Sequence, residues 1–270
     1  MPYFINDGVK IYYEIEGEGP PVVMIHSLTS NLEKDWIQSN WVKTLKESYR
    51  LILLDCRGHG RSDKPHDASS YGLKMADDIV KLMKSLSFEK FNIFGYSMGA
   101  NIAFWILLTK SNLLISAILG GLNISLDERQ VMKVNELNRQ IIEALKADNI
   151  IQVKKPMARS YRKFAESSGN DLLALAALFT SILNHELTEI ITSPALLRET
   201  LKDIHVPVMT VLSSGEIISG GNNSVVRLIP DACNVQIQGT DHFKLKSDPK
   251  FHMIVKAFLN YANRNELSNY

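Results

Sequence analysis

The chain has 270 residues, 45% hydrophobic and 22% charged, enough for one large domain or a domain with an insertion around a sizeable core. Thirty basic residues against 29 acidic leave a net charge of +1, which gives no electrostatic basis for nucleic acid or an anionic membrane as partner. Two cysteines, Cys56 and Cys233, are too few for a secreted disulfide scaffold, so a reducing cytoplasm is the expected compartment.

The start, MPYFINDGVK, lacks the basic and apolar regions of a signal peptide, which fits the same expectation. Residues 3 to 16 predict two strands around a turn at Asn6-Asp7-Gly8, with alternation in VKIYYEIE. Short apolar runs follow at 21–26, 51–55, 91–95, 113–121, 206–214 and 233–239. Unbroken apolar strands of this kind suit a parallel sheet covered on both faces. Helical patterns lie between them. In 73–87 Met75, Ile79, Leu82, Met83 and Leu86 fall at helical spacing, a second helix begins near Ser97, and a third spans 250–264. Strand alternating with helix implies an α/β fold with right-handed crossovers.

The stretch 123–203 interrupts the alternation. It predicts no strand and four helices, at 126–148, 156–167, 171–184 and 194–202. An all-helical block between two sheet strands reads as an inserted cap, which divides the chain into a core of 1–122 and 204–270 and a cap of 123–203. Its longest apolar run, LLALAALF at 172–179, is too short to span a bilayer. From 122 to 203 eleven basic residues balance eleven acidic ones, so it is no polyanion-binding module.

FNIFGYSMGAN, residues 91–101, sets Ser97 between Gly95 and Gly99 after a strand and before a helix. G-x-S-x-G alone would arise by composition in about one in ten chains of this length; its place between strand and helix makes it a candidate nucleophile turn. A serine hydroxyl needs a base, and the base needs an orienting acid, in the chain order serine, acid, histidine. His242, in GTDHFKLKSDP after the last strand, stands where such a base is expected. The seven histidines contain no H-E-x-x-H and the cysteines no C-x-x-C. Neither a phosphate loop nor a dinucleotide fingerprint is present, so no metal and no cofactor is expected.

Four motifs together resemble the α/β-hydrolase superfamily: GYSMG as its nucleophile elbow, DCRGHGRSDKP at 55–65 as its D-x-R-G-x-G-x-S loop, MIHSLTS at 24–30 as its oxyanion loop, and GTDHF with Pro249 as its histidine loop. The resemblance covers almost the whole chain. It implies a mostly parallel eight-stranded sheet flanked by helices, with the inserted block as cap. It also implies Ser97 as nucleophile, His242 as general base, and backbone N–H groups of Leu28 and Met98 as the oxyanion hole. Arg57, His59 and Ser62 would be structural.

The chain departs from the family's pattern in three places. Where an aspartate is usual after VPVMTVL the sequence reads Ser213-Ser214-Gly215-Glu216, so Glu216 is the expected acid; Asp127 and Asp241 are the other carboxylates to consider. Ser27 stands where glycine is usual, and Asp241 replaces a common glycine beside His242. In the cap, Lys154, Lys155, Arg159, Arg162 and Lys163 form a basic cluster, read as a solvated face or an attraction for acidic substrates. The resemblance implies a serine hydrolase acting on a small ester, lactone or thioester. The alternatives are a carbon–carbon bond hydrolase, a cofactor-free haloperoxidase-like enzyme, or a ligand-binding protein on a hydrolase fold. The expected partner is a small molecule; oligomeric state is not legible.

Overall fold

A computed structural model describes residues 2–122, 124, 127–184, 193–215 and 226–267. Its eight strands are β1 (Tyr3–Asn6), β2 (Val9–Glu16), β3 (Pro21–Ile25), β4 (Arg50–Leu54), β5 (Phe91–Tyr96), β6 (Leu114–Gly120), β7 (Val208–Gly215) and β8 (Cys233–Asp241). They form one sheet in the order β1-β2-β4-β3-β5-β6-β7-β8. The β1–β2 and β2–β4 pairs are antiparallel, and every other pair is parallel.

The continuous apolar runs follow from burial on both faces. Successive side chains of a strand point to opposite sides. Val23 and Ile25 of β3 therefore enter one core cluster, with Ile52, Leu54, Ile93 and Leu119. Val22 and Met24 enter the other, with Leu51, Leu53, Phe94 and Ile118. Helices α2 (Leu73–Ser85) and α3 (Met98–Lys110) cover the first face through residues such as Ile79, Leu82, Ala103 and Leu107. The second face is covered by α1 (Trp41–Leu45) and α8 (Pro249–Leu267) through Trp41, Leu45, Phe251, Val255 and Leu259.

Between β6 and β7 lie α4 (Glu128–Lys146), α5 (Pro156–Ser167), α6 (Leu172–Leu183) and α7 (Pro194–Lys202). Three of these starts are capped: Asp127 accepts from the amides of Arg129 and Gln130, Asp171 from those of Leu173 and Ala174, and Ser193 from that of Leu196. α5 opens on Pro156, whose missing N–H costs nothing in a first turn. Helices α4, α5 and α6 share a cluster of their own around Ile141, Leu145, Ala158, Leu175 and Phe179. Leu197 and Leu201 of α7 join the sheet's cluster instead, with Ile204 and Val208. Among the described residues no helix is long and apolar enough to cross a membrane.

Arg162 departs from the solvated face expected of the basic cluster. It is buried, and its guanidinium donates to the carbonyls of Ala144 and Ala147 and to Glu166. The physical reason is the end of α4, whose last carbonyls have no partner within the helix and take this cation instead. Arg159 likewise donates to the Val153 carbonyl.

Candidate active site

The site is assembled at the C-terminal edge of the parallel strands. β5 is buried throughout and runs directly into α3 at Ser97, whose φ is +54°. Positive φ is uncommon for a residue with a side chain, and it turns the Ser97 hydroxyl out of the strand. The flanking glycines are dictated by close backbone approach. A Cβ at Gly95 would lie 2.1 Å from the Gly99 carbonyl oxygen, and one at Gly99 would lie 1.9 Å from that of Ile25. Strand β3, strand β5 and the first turn of α3 therefore converge at a spacing that excludes any side chain. The Ser97 amide donates to the Gly120 carbonyl at 2.8 Å, which ties the turn to β6.

The imidazole of His242 is brought to the same point from the far edge of the sheet. β8 ends at Asp241, and His242 Nε2 lies 3.0 Å from Ser97 Oγ. With the proton on Nδ1, Nε2 accepts from the hydroxyl, the arrangement needed for a base. Tyr96, next to the serine, donates its hydroxyl to the His242 carbonyl. Gly121, at φ +61°, lies against the ring: a Cβ there would meet Cε1 at 2.9 Å and Nδ1 at 3.2 Å. Sequence reasoning singled out Ser97 and His242, which the structure brings together, but neither Tyr96 nor Gly121 beside them; the Gly120-Gly121 pair ending a strand was the available signal.

Glu216 lies outside the described residues. The residue before it, Gly215, pairs with Asp241 across β7 and β8. The Asp241 carboxylate accepts from the amides of Phe243 and Lys244 and pairs with the Lys244 ammonium at 3.1 Å. These hydrogen bonds, the Lys244 amide first, hold its carboxyl below the usual range. Asp127 accepts from the first amides of α4, as described above. Both rival carboxylates thus have local capping roles.

The loop after β3 faces the start of α3. His26 is fully buried; its Nε2 accepts from the Cys56 amide, so its Nδ1 carries the proton donated to the Ser27 carbonyl at 2.7 Å. Thr29 has φ +59° and donates its hydroxyl to the Leu28 carbonyl. Ser27 is held by a residue that sequence reasoning passed over. Asp35, in the short helical turn Glu33–Ile37, is completely buried and accepts from the Ser27 amide, the Ser27 hydroxyl and the Ser30 hydroxyl at 2.5 to 2.7 Å. The ammonium of Lys246 completes its shell. Burial alone would push the Asp35 carboxyl up; the Lys246 ammonium and the Ser27 hydrogen bonds outweigh it and hold the group below the usual carboxylate range.

The D-x-R-G-x-G-x-S loop lies beneath the site. Arg57 makes a buried bidentate pair with Asp78 through Nε and Nη2, at 2.7 and 2.6 Å. Asp55 accepts from the amides of Leu32 and Arg61, and the Ser62 hydroxyl donates to the Asp55 carbonyl while accepting from the Tyr12 amide. His59 is buried against His26, and burial lowers its pKa to about 3. These groups bond to one another and to strand ends, as scaffolding does.

α5 presents Met157, Ser160, Tyr161 and Phe164 at helical spacing to an open cleft of about 370 Å³ that Phe243, the neighbour of His242, also lines. The Phe243 ring lies edge-on to His242, with centroids 5.7 Å apart. Leu28 packs against the same helical cluster that holds Tyr161. The Asn170 amide reaches the Thr29 carbonyl at 3.2 Å, so the helical block touches the loop after β3 directly. Among the described residues no group of three histidine, cysteine or carboxylate side chains is placed to hold a metal ion.

The sequence profile of the family described as alpha/beta hydrolase fold matches residues 20–164. A Bacillus subtilis (strain 168) protein, provisionally named 2-succinyl-6-hydroxy-2,4-cyclohexadiene-1-carboxylate synthase, is 26% identical over 278 aligned residues, covering 94% of this chain and 96% of its own. Solved structures share the fold. The enol-lactonase of Burkholderia xenovorans LB400 superimposes with a TM-score of 0.69 at 21% identity, covering 96% of this chain and 100% of its own. MGS-M2, an alpha/beta hydrolase enzyme from a Medee basin deep-sea metagenome library, gives 0.76 at 17% identity, over 96% and 97% of the two chains. With the profile matching more than half its length and the sheet order described above, the chain belongs to the α/β hydrolase fold family.

Proposed function

We propose that this protein is a cofactor-independent serine hydrolase of small esters, lactones or thioesters, working through an acyl-enzyme in the cytoplasm. The observation that carries the reading is the 3.0 Å contact between Ser97 Oγ and His242 Nε2 at a positive-φ serine. Ser97 Oγ bonds to the substrate carbonyl carbon as its proton passes to His242. The bond to the leaving oxygen or sulfur then breaks, and His242 returns the proton to that atom. Water repeats the sequence: His242 takes its proton, the hydroxide adds to the acyl carbon, and the acid leaves as Ser97 recovers its hydrogen.

The amide of Met98, in the first turn of α3, has no helical carbonyl to bond and is suited to a developing oxyanion. The Ser27 amide is taken by Asp35, which leaves the next amide, that of Leu28, as the second donor. Glu216 is the acid that orients His242; its support is chain order and the pairing of Gly215 with Asp241, the residue before His242. Glu216→Gln should lower kcat by about 10³ to 10⁴ with folding intact. The helices of 123–203 act as a cap over the core of 1–122 and 204–270. The apolar cleft of Met157, Phe164 and Phe243 reaches the site only through Phe243, which lies beside His242; that neighbourhood supports a neutral substrate with an aliphatic arm.

The test is a panel of p-nitrophenyl esters from acetate to decanoate, run on wild type and Ser97→Ala. Turnover by wild type, with kcat/KM rising beyond acetate, and at least a 10³-fold loss in Ser97→Ala are expected. Equal rates in the two proteins would refute the reading. A second reading, a carbon–carbon bond-cleaving or -forming enzyme, is favoured by the near-full-length likeness to a relative named as a synthase. An ester panel inert in a protein whose Ser97 still reacts with a phosphonate would select it.

A further inference from the structure

The oxyanion loop and the histidine loop spring from β3 and β8, which stand four places apart in the sheet. The two strands are not paired with each other; β5, β6 and β7 lie between them. Among the described residues an ion pair between the fully buried Asp35 and the partly buried Lys246 links them. Asp35 receives the Ser27 amide, the hydroxyls of Ser27 and Ser30, and the ammonium of Lys246, four residues beyond His242. Lys246 is itself anchored. Its carbonyl accepts from Trp41 Nε1 at 2.7 Å and lies 3.2 Å from His252 Nε2, and Trp41 and His252 stack with centroids 3.9 Å apart. Asp35 is anchored too, since its carbonyl accepts the Ser39 hydroxyl and its neighbour Trp36 packs on Phe94 of β5.

A buried ion pair is a poor source of stability, because desolvation cancels most of its attraction; its better-attested use is to fix one arrangement among several. We propose that Asp35 and Lys246 are positioning residues that hold the Ser27–Ser30 loop and the His242 loop at one separation, so that oxyanion donors and imidazole meet the same substrate carbonyl. The proposal rests on the hydrolase reading above. It accounts for Ser27 in place of the usual glycine: both its amide and its hydroxyl are held by Asp35. Asp35 and Lys246 touch neither Ser97 nor His242 among these hydrogen bonds, so they act through the loops and not on the substrate.

The experiment compares wild type, Ser97→Ala, Lys246→Arg, Ser27→Ala and the neutral double variant Asp35→Asn/Lys246→Met with p-nitrophenyl butyrate, together with thermal unfolding. The double variant leaves no unpaired buried charge. It should keep a cooperative unfolding transition, lose about 10²-fold in kcat, as an ångström-scale misplacement does, and change KM less than about threefold. Its phosphonylation of Ser97 should slow in proportion. Lys246→Arg should recover to within about fivefold of wild type, and Ser27→Ala should lose several-fold in kcat with KM unchanged. A folded double variant with wild-type kcat would overturn the proposal, and so would losses that merely track the folded fraction. If the double variant does not fold, a Ser27→Ala enzyme with unaltered kcat and phosphonylation rate overturns it as well. Ser97→Ala as active as wild type would instead overturn the hydrolase reading on which the proposal rests.

Discussion

Two polar loops leave the C-terminal edge of the sheet, one after β4 and one after β5 with β3 between them, and they are built in opposite ways. In Asp55–Ser62 the polar side chains turn inward: Arg57 grips Asp78, Asp55 holds Leu32 and Arg61, and Ser62 bridges Tyr12 to Asp55. At Tyr96–Gly99 the backbone is bent so that one hydroxyl turns out of the strand toward a single imidazole. Both loops need glycines and both contain a serine. The difference lies in where the polar atoms end. Groups directed at the fold hold it together, and their loss is felt as stability. On the proposed reading, a group held in a strained conformation against an imidazole contributes little to stability, and its loss is felt as rate.

That contrast is sharpest at the imidazole. His242→Ala should lower kcat on an active ester by about 10⁴-fold or more while the unfolding midpoint moves only a few degrees. A variant that unfolded in proportion to its lost activity would make His242 a structural residue and erase the contrast. The opposite pattern is expected at Asp78→Asn. Removing one charge of a buried bidentate pair should cost about 3–5 kcal/mol in urea unfolding, and the molecules that remain folded should turn over at close to the wild-type kcat.

A third effect depends on pH. The unfolded chain binds a proton at His59 below about 6.5, whereas the folded chain, with this pKa lowered to about 3 by burial, does not. Between these values the unfolded state holds more protons, so stability falls as pH falls, by up to about 1.4 kcal/mol per pH unit. Urea midpoints from pH 7 to pH 4 should show this slope, and it should flatten in His59→Gln. An unchanged slope in that variant would assign the acid lability to other groups. The smallest effect is expected in the helical block. Asp171→Ala removes the cap of α6 and its contact with His66 at 3.0 Å and should cost about 1 kcal/mol, leaving kcat on acetate esters unchanged.

Much of the fold was legible because burial on both faces leaves a trace: the central strands read as apolar runs, broken by Asn92 and Ser116, which bond to each other, and the helices between them repeat at helical spacing. The elbow was legible for a similar reason. Gly95 and Gly99 are required by backbone contacts that leave no alternative residue, so the constraint is written locally. The Asp35–Lys246 pair was not legible. Asp35 sits in LEKDW beside Glu33 and Lys34, and nothing local marks one charged neighbour as buried and the others as solvated. Its partner lies 211 positions away. The same applies to Arg162, whose basic neighbours suggested a solvated face until the carbonyls ending α4 turned it inward. Glu216 falls outside the described residues; its place was legible from chain order, and the pairing of Gly215 with Asp241 brings the end of β7 beside the His242 loop.

The claim beneath this account is that the Ser97 hydroxyl is an activated nucleophile. Incubation of the intact protein with a fluorophosphonate, followed by peptide mass spectrometry, tests it with no assumption about the substrate. One label per chain is expected, on the peptide containing GYSMG, with labelling abolished in Ser97→Ala and slowed strongly in His242→Ala. A label on another serine, or one that persists in folded Ser97→Ala protein, would contradict it.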